Sequence, residues 1–225
     1  MAKLLLLRHL QSQWNKENRF AGWTDGPLSS EGREMAGPVA QKVFCNNIDK
    51  IYTSPLFRNQ DTVDRILKEA GGRYAFFIHL DAGKMRGWGN YADISENYIP
   101  VFVSEKLNER YYGKLQGLNK EEVINKYGEE QVQLWRRSCK AAPPGGESLK
   151  DVSKRTIPFF KKYIEKDLLA GKNILVVASH NSLRAIVKYI DKISDEDIIG
   201  LEMEPGKVIE YEMDDSLTPK NKKVF

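Results

Sequence analysis

The chain has 225 residues, 41% of them hydrophobic and 29% charged, a balance that supports a sizeable core and excludes a disordered polyelectrolyte. Its net charge of +4 is too small to imply nucleic acid, yet it suits capture of an anionic metabolite. In chain order, Met1–Leu7 is an apolar run that leads into a polar turn and reads as a buried strand. Ser29 to Phe44 places Met35, Val39, Ala40, Val43 and Phe44 on one helical face, and Gly37-Pro38 is expected to kink or split that helix. Lys50–Thr53 is a short strand. Ser54-Pro55 then opens a helix with a capping hydroxyl and a first-turn proline, and Val63, Ile66 and Leu67 recur at helical spacing.

Tyr74–Leu80 is a further strand, followed by a loose stretch, Asp81–Asn97, rich in Gly, Asn and Asp. Ala141–Gly146 is a second loop by composition, and Glu147–Leu169 is an amphipathic helix in which Pro158 threatens a bend. Asn173–Ala178 is another apolar strand, with a helix over Ser182–Ile190 directly behind it. Val208–Met213 alternates like an edge strand with one wet face, and residues 218–225 read as a flexible basic tail with little to bury. Strands alternating with helices predict an α/β fold, a three-layer α/β/α sandwich with a mainly parallel central sheet, as a single domain over residues 1–225.

Cys45 and Cys139 lie far apart without CxxC spacing and read as free thiols of a reducing compartment. The apolar run Leu4–Leu7 meets Arg8 at once, so no signal peptide is read, and no stretch approaches the ~20 apolar residues that span a bilayer. A cytoplasmic location is expected, with neither membrane nor nucleic acid as partner.

Ligands of open α/β sheets bind at the carboxyl ends of the strands. The first strand ends in Arg8-His9 and the late strand in Ser179-His180, so parallel neighbours would bring two of the three histidines to one mouth. His79 sits inside an apolar strand and reads as a core or sheet residue. A neutral imidazole attacks phosphorus and leaves a reactive N–P bond, while arginine forks clamp the charge of a phosphoryl group in flight. His9 is therefore the candidate nucleophile, with Arg8, Arg58 and His180 around the transferred group. The Asp, Glu and His spacing offers no obvious metal set.

These residues carry a resemblance. Arg8–Asn15 (RHLQSQWN) is similar to the RHGxSxWN signature of the histidine phosphatase superfamily. Arg19–Leu28 (RFAGWTDGPL), Leu107–Lys120 (LNERYYGKLQGLNK) and Trp135–Ser138 (WRRS) resemble the cofactor-dependent phosphoglycerate mutases more narrowly, and His180–Arg184 (HNSLR) resembles the superfamily's HGNSLR. The resemblance implies a phosphoglycerate mutase-like fold and the interconversion of 3- and 2-phosphoglycerate through a phosphohistidine on His9. The primer would be 2,3-bisphosphoglycerate, with no metal. Glu109 would exchange protons with the substrate hydroxyls, and Asn15 would help hold the phosphoryl group. Ser12, Ala21, Gly22, Arg110, Tyr112, Lys120, Arg136, Arg137 and Asn181 would complete the binding site. Relatives of this kind often form homodimers or tetramers.

Five departures accompany the resemblance. Leu10 stands where the family has glycine and must find an apolar pocket beside the site. Ala21 replaces a hydroxyl residue. The glycine expected between His180 and Asn181 is missing; a gapless match would instead put Ser179 at the histidine position, but His180 is preferred because a serine cannot serve as the acid. The Tyr74–Glu105 region is longer than the family's connection and Cys139–Gly146 is shorter. Two rival functions follow: a phosphatase of small phosphorylated metabolites on the same fold, and a catalytically silent module that binds them.

Overall fold

The computed structural model describes residues 1–87 and 95–225. Seven strands form one sheet: β1 (Ala2–Arg8), β2 (Lys50–Thr53), β3 (Tyr74–His79), β4 (Tyr98–Val103), β5 (Ile174–Ala178), β6 (Val208–Met213) and β7 (Pro219–Val224). Their spatial order is β3-β4-β2-β5-β1-β6-β7. The first five in that order run parallel; β6 lies antiparallel to β1, and β7 antiparallel to β6.

The α-helices are α1 (Gln13–Lys16), α2 (Ser30–Glu34), α3 (Ala36–Phe44), α4 (Phe57–Glu69), α5 (Lys84–Gly87), α6 (Lys120–Tyr127), α7 (Glu129–Arg137), α8 (Leu149–Phe159), α9 (Lys166–Leu169) and α10 (His180–Ile190). Because strand side chains alternate, β1 sends Leu4 and Leu6 to one face and Leu5 and Leu7 to the other. The first pair packs with Val176, Phe159, Leu168, Leu183 and Ile186, beneath α8, α9 and α10. The second packs with Ile51, Val177, Val39, Val43, Val63 and Ile66, beneath α3 and α4. Burial on both faces explains the uninterrupted apolar runs Leu4–Leu7 of β1 and Ile174–Ala178 of β5. The result is the three-layer α/β/α sandwich.

Several boundaries differ from the sequence reading for local reasons. The Ser29–Phe44 helix does split, but at Met35, upstream of Gly37-Pro38. Pro38 then falls in the first turn of α3, where a missing N–H costs nothing. Ser54 does not cap α4: the helix starts at Phe57, and the Ser54 Oγ accepts from Leu56 N (3.3 Å) and Asn59 Nδ2 (2.6 Å). The Glu147–Leu169 helix is continued beyond Pro158 by a π-helical turn over Phe160–Glu165, which absorbs the mismatch before α9.

Strand β4 pairs with both β2 and β3 although it contains Pro100 and was not expected. The loose stretch Asp81–Asn97 contains the short α5, and its residues 88–94 lie outside the described residues. Val208–Met213 is not the edge. Residues 218–225, expected as a flexible tail, contain β7, which pairs with β6 from Ile209 to Met213 and takes the edge position. Among the described residues no helix is long and apolar enough to cross a membrane.

Candidate active site

Strands β1 and β5 are parallel neighbours with Arg8 opposite Ala178, so both carboxyl ends open at one level. The chain leaves β1 toward the face of α3 and α4 and leaves β5 directly into α10 on the other face. This divergence creates the crevice in which α/β proteins bind ligands. Arg8, His9, Asn15, Arg58, Glu109 and His180 line a cavity of about 130 Å³ there, together with Ala21, Gly22, Tyr112, Lys120, Arg136 and Arg137. These come from five separate parts of the chain, 8–22, 58, 109–120, 136–137 and 180. Ser12, Arg110 and Asn181 do not line it and support it from behind.

His9 is 2% exposed, and its main-chain N–H donates to Ala178 O at 3.0 Å. Its Nδ1 lies 2.7 Å from Leu10 O, and a carbonyl can only accept, so Nδ1 carries the proton and Nε2 keeps its lone pair. Burial, then Arg58 and Arg8, hold the imidazole well below its ordinary pKa of 6.5, so it is neutral at pH 7. Leu10 is fully buried in the core beneath α3 and α4, and its backbone has no positive φ. The apolar pocket expected for Leu10 is therefore present, and its N–H is held by Thr62 Oγ1 at 3.1 Å.

His180 is the first residue of α10, two residues earlier than the expected helix start. It lines the cavity, whereas Ser179 is fully buried with its hydroxyl at Asn59, 3.2 Å away. Between the two alignments weighed above, this is the arrangement with His180 at the pocket. Burial, then Arg8 and Arg184, push its pKa well below 6.5 as well.

The cations are held at their edges. Arg58 donates from Nη2 to Gly22 O (2.7 Å) and from Nη1 to Thr24 O (3.1 Å) and Asp25 Oδ1 (3.3 Å). Arg8 donates from Nη1 to Met203 O. Yet the buried Nε atoms of both have no protein partner. Lys120 donates to Asn18 Oδ1 at 3.1 Å, and burial beside Arg136 and Arg8 lowers its ammonium to about 8. Arg136 and Arg137 end α7, where basic residues suit the helix dipole.

Glu109 is 6% exposed, and its Oε1 accepts from Arg110 N (2.6 Å) and Asn181 Nδ2 (2.8 Å). Asn181, at the amino end of α10, also donates to the Tyr112 hydroxyl at 3.2 Å. Arg110 is fully buried and donates to Arg136 O at 2.8 Å while stacking on the Tyr112 ring. Ser12 caps α1, its Oγ accepting from Asn15 N at 3.2 Å, and Asn15 Oδ1 accepts from Ser12 N in return at 3.2 Å. This pair fixes Asn15 at the cavity wall.

Five residues went unassigned in the sequence. Arg19 and Phe20 line the cavity and lie inside the Arg19–Leu28 segment already singled out. Arg184, inside HNSLR, donates to Arg137 O (2.8 Å) and Ile198 O (2.6 Å). Arg155 binds the main-chain oxygens of Asn108 (3.0 Å) and Glu109 (2.9 Å), a contact with no local sequence signal. Glu202 lines the cavity and belongs to no motif.

Six cations line the cavity, Arg8, Arg19, Arg58, Lys120, Arg136 and Arg137, against two carboxylates, Glu109 and Glu202. That surplus, with unpartnered buried guanidinium nitrogens, fits a small ligand of several negative charges. Among the described residues there is no group of three or more His, Cys, Asp or Glu side chains placed to hold a metal. A neutral imidazole at the end of β1 in a crevice of arginines is an arrangement suited to phosphoryl transfer through histidine. The model of the histidine phosphatase superfamily (branch 1) matches residues 4–88 and 90–220.

A 2,3-bisphosphoglycerate-dependent phosphoglycerate mutase of Methanococcus vannielii is 44% identical, covering 96% of this chain and 92% of its own. One from Gloeothece citriformis is 43% identical over the whole of both chains. The chain belongs to the histidine phosphatase superfamily and, within it, to the family of the 2,3-bisphosphoglycerate-dependent phosphoglycerate mutases. Among solved structures, a mycobacterial glucosyl-3-phosphoglycerate phosphatase complexed with vanadate superposes with a TM-score of 0.76 at 21% identity, covering 100% of this chain and 97% of its own. Bacillus stearothermophilus YhfR does so at 0.74 and 22%, covering 97% and 94%. These two share the fold.

Proposed function

We propose that this enzyme interconverts 3-phosphoglycerate and 2-phosphoglycerate, carrying the phosphoryl group on Nε2 of His9. The observation that carries the reading is the joint presence, in one cavity, of a neutral histidine, a carboxylate and separate groups of cations. Bound 2,3-bisphosphoglycerate supplies the phosphoryl group that primes the histidine; Arg8, Arg58, Asn15 and His180 would hold that end, and Lys120, Arg136 and Arg137 the other.

The chain's own groups divide the work. The Leu10 carbonyl fixes the His9 tautomer, so that Nε2 attacks phosphorus without first losing a proton. Arg8 and Arg58 stabilise charge on the equatorial oxygens in transfer. Glu109 takes the proton from the attacking hydroxyl and returns it to the leaving alkoxide. Lys120, Arg136 and Arg137 grip a second anion, which general phosphate hydrolysis does not need and isomerisation does. The reaction belongs to glycolysis and gluconeogenesis in the cytoplasm.

The test is a metal-chelated assay on 3-phosphoglycerate, with and without 2,3-bisphosphoglycerate, following 2-phosphoglycerate and free phosphate together. Isomerisation that depends on the bisphosphate, lost in His9→Ala, is the expected result. Phosphate release without isomerisation would make the protein a phosphatase, and silence in both channels a binding module.

A further inference from the structure

Glu202 is the pocket carboxylate that the mechanism above leaves unused. It lies between the 3-10 turn Asp197–Gly200 and β6, with its side chain 41% exposed. One oxygen pairs with Arg137 Nη1, and the other lies 3.2 Å from His180 Nε2, without the alignment of a hydrogen bond. The main-chain oxygen of the next residue, Met203, accepts from Arg8. Two consecutive residues thus contact three groups assigned here to anion binding.

A carboxylate set between a guanidinium and an imidazole occupies a place where a substrate oxyanion would find the same donors. Unlike Glu109, which is almost fully buried among four donor contacts, Glu202 has a solvent-facing side and a flexible stem. It can swing out without leaving a buried charge uncompensated. In its place Arg137 would face Arg136 and Arg110 with no carboxylate between them, and both of these already lower the Arg137 pKa after burial does.

We propose that Glu202 is an internal counter-ion that occupies the Arg137–His180 end of the pocket until a substrate anion displaces it. It is a specificity-determining residue: a ligand must carry enough charge to outcompete a tethered carboxylate, which favours dianionic phosphate over simple monocarboxylates. The identity of the substrate rests on the mutase reading; the displacement itself does not.

The experiment is calorimetric titration of inorganic phosphate and of 3-phosphoglycerate into wild type, Glu202→Gln and Glu202→Asp, with steady-state kinetics alongside. Glu202→Gln keeps the shape and removes the charge, so both ligands should bind about three- to tenfold tighter, and KM should fall with no matching rise in kcat. A merely structural Glu202 would give the opposite sign, and unchanged or weaker binding by Glu202→Gln overturns the proposal. Should Glu202→Gln fail to fold, Glu202→Asp decides, since its shorter stem cannot span Arg137 and His180 together: tighter binding supports displacement and equal or weaker binding rejects it. Wild type that binds phosphate but never forms 2-phosphoglycerate would remove the mutase reading and leave the phosphate titrations as the test of Glu202.

Discussion

Glu109 is positioned from both ends of its own residue. Its main-chain oxygen accepts from Trp23 Nε1 (2.6 Å) and Arg155 Nη2 (2.9 Å), while its carboxylate accepts from Arg110 N and Asn181. Substitution by glutamine keeps the shape but removes the negative charge and with it the capacity to exchange a proton. Glu109→Gln is therefore expected to lower kcat by about 10²–10⁴-fold, with a far smaller change in the Kd for 3-phosphoglycerate, as single-turnover kinetics and titration would read. A pure loss of affinity would reject the acid–base role. The motif LNERYYG made Glu109 legible in the sequence. The two donors on its carbonyl were not, because Trp23 lies 86 positions upstream and Arg155 46 positions downstream.

At the scale of elements, the loop carrying Glu109 is locked to the loop before α8. Lys114 N donates to Pro144 O (3.0 Å), Glu147 N to Tyr111 O (2.8 Å), and Tyr111 N to Glu147 Oε2 (2.9 Å). Gly113 makes this approach possible: its φ is +56°, and a Cβ there would lie 2.3 Å from Pro144 O. Gly113→Ala should destabilise the protein by about 2 kcal/mol or more in urea titrations and depress kcat through Glu109. Gly171→Ala, at a φ of +77° but with open space around it, should cost about 1 kcal/mol and leave kcat alone. Composition marked Ala141–Gly146 as a loop; that the loop braces the segment carrying Glu109 followed only from its packing.

For the whole molecule, two buried neutral histidines make stability depend on pH. His9 and His180 are held below 6.5 in the fold, whereas an unfolded imidazole titrates near that value. Below it the unfolded chain binds more protons than the native one, so stability falls as pH drops through about 6.5 and is fully retained above it. Between pH 7.5 and 5.5 each histidine should remove about 1 kcal/mol, read as a lower urea midpoint, and His9→Asn should flatten that slope. The same burial keeps Nε2 of His9 nucleophilic at neutral pH, so reactivity and acid sensitivity share one cause.

The sequence by itself determined the layered α/β architecture, since short uninterrupted apolar runs such as Leu4–Leu7, leading straight into polar turns, read as strands buried on both faces, and helical periodicity between them supplies the cover. It also determined the chemistry at the strand ends, because Arg8-His9 and His180 must emerge wherever β1 and β5 stop. Tertiary structure decided what local pattern cannot carry. Strand β4 is interior despite Pro100, and the polar residues 219–224 form an edge strand because β6 offers an unpaired row of backbone groups. It also decided that Glu202 enters an anion pocket, since a carboxylate in an unpatterned loop acquires meaning only from the Arg137 and His180 that folding sets beside it.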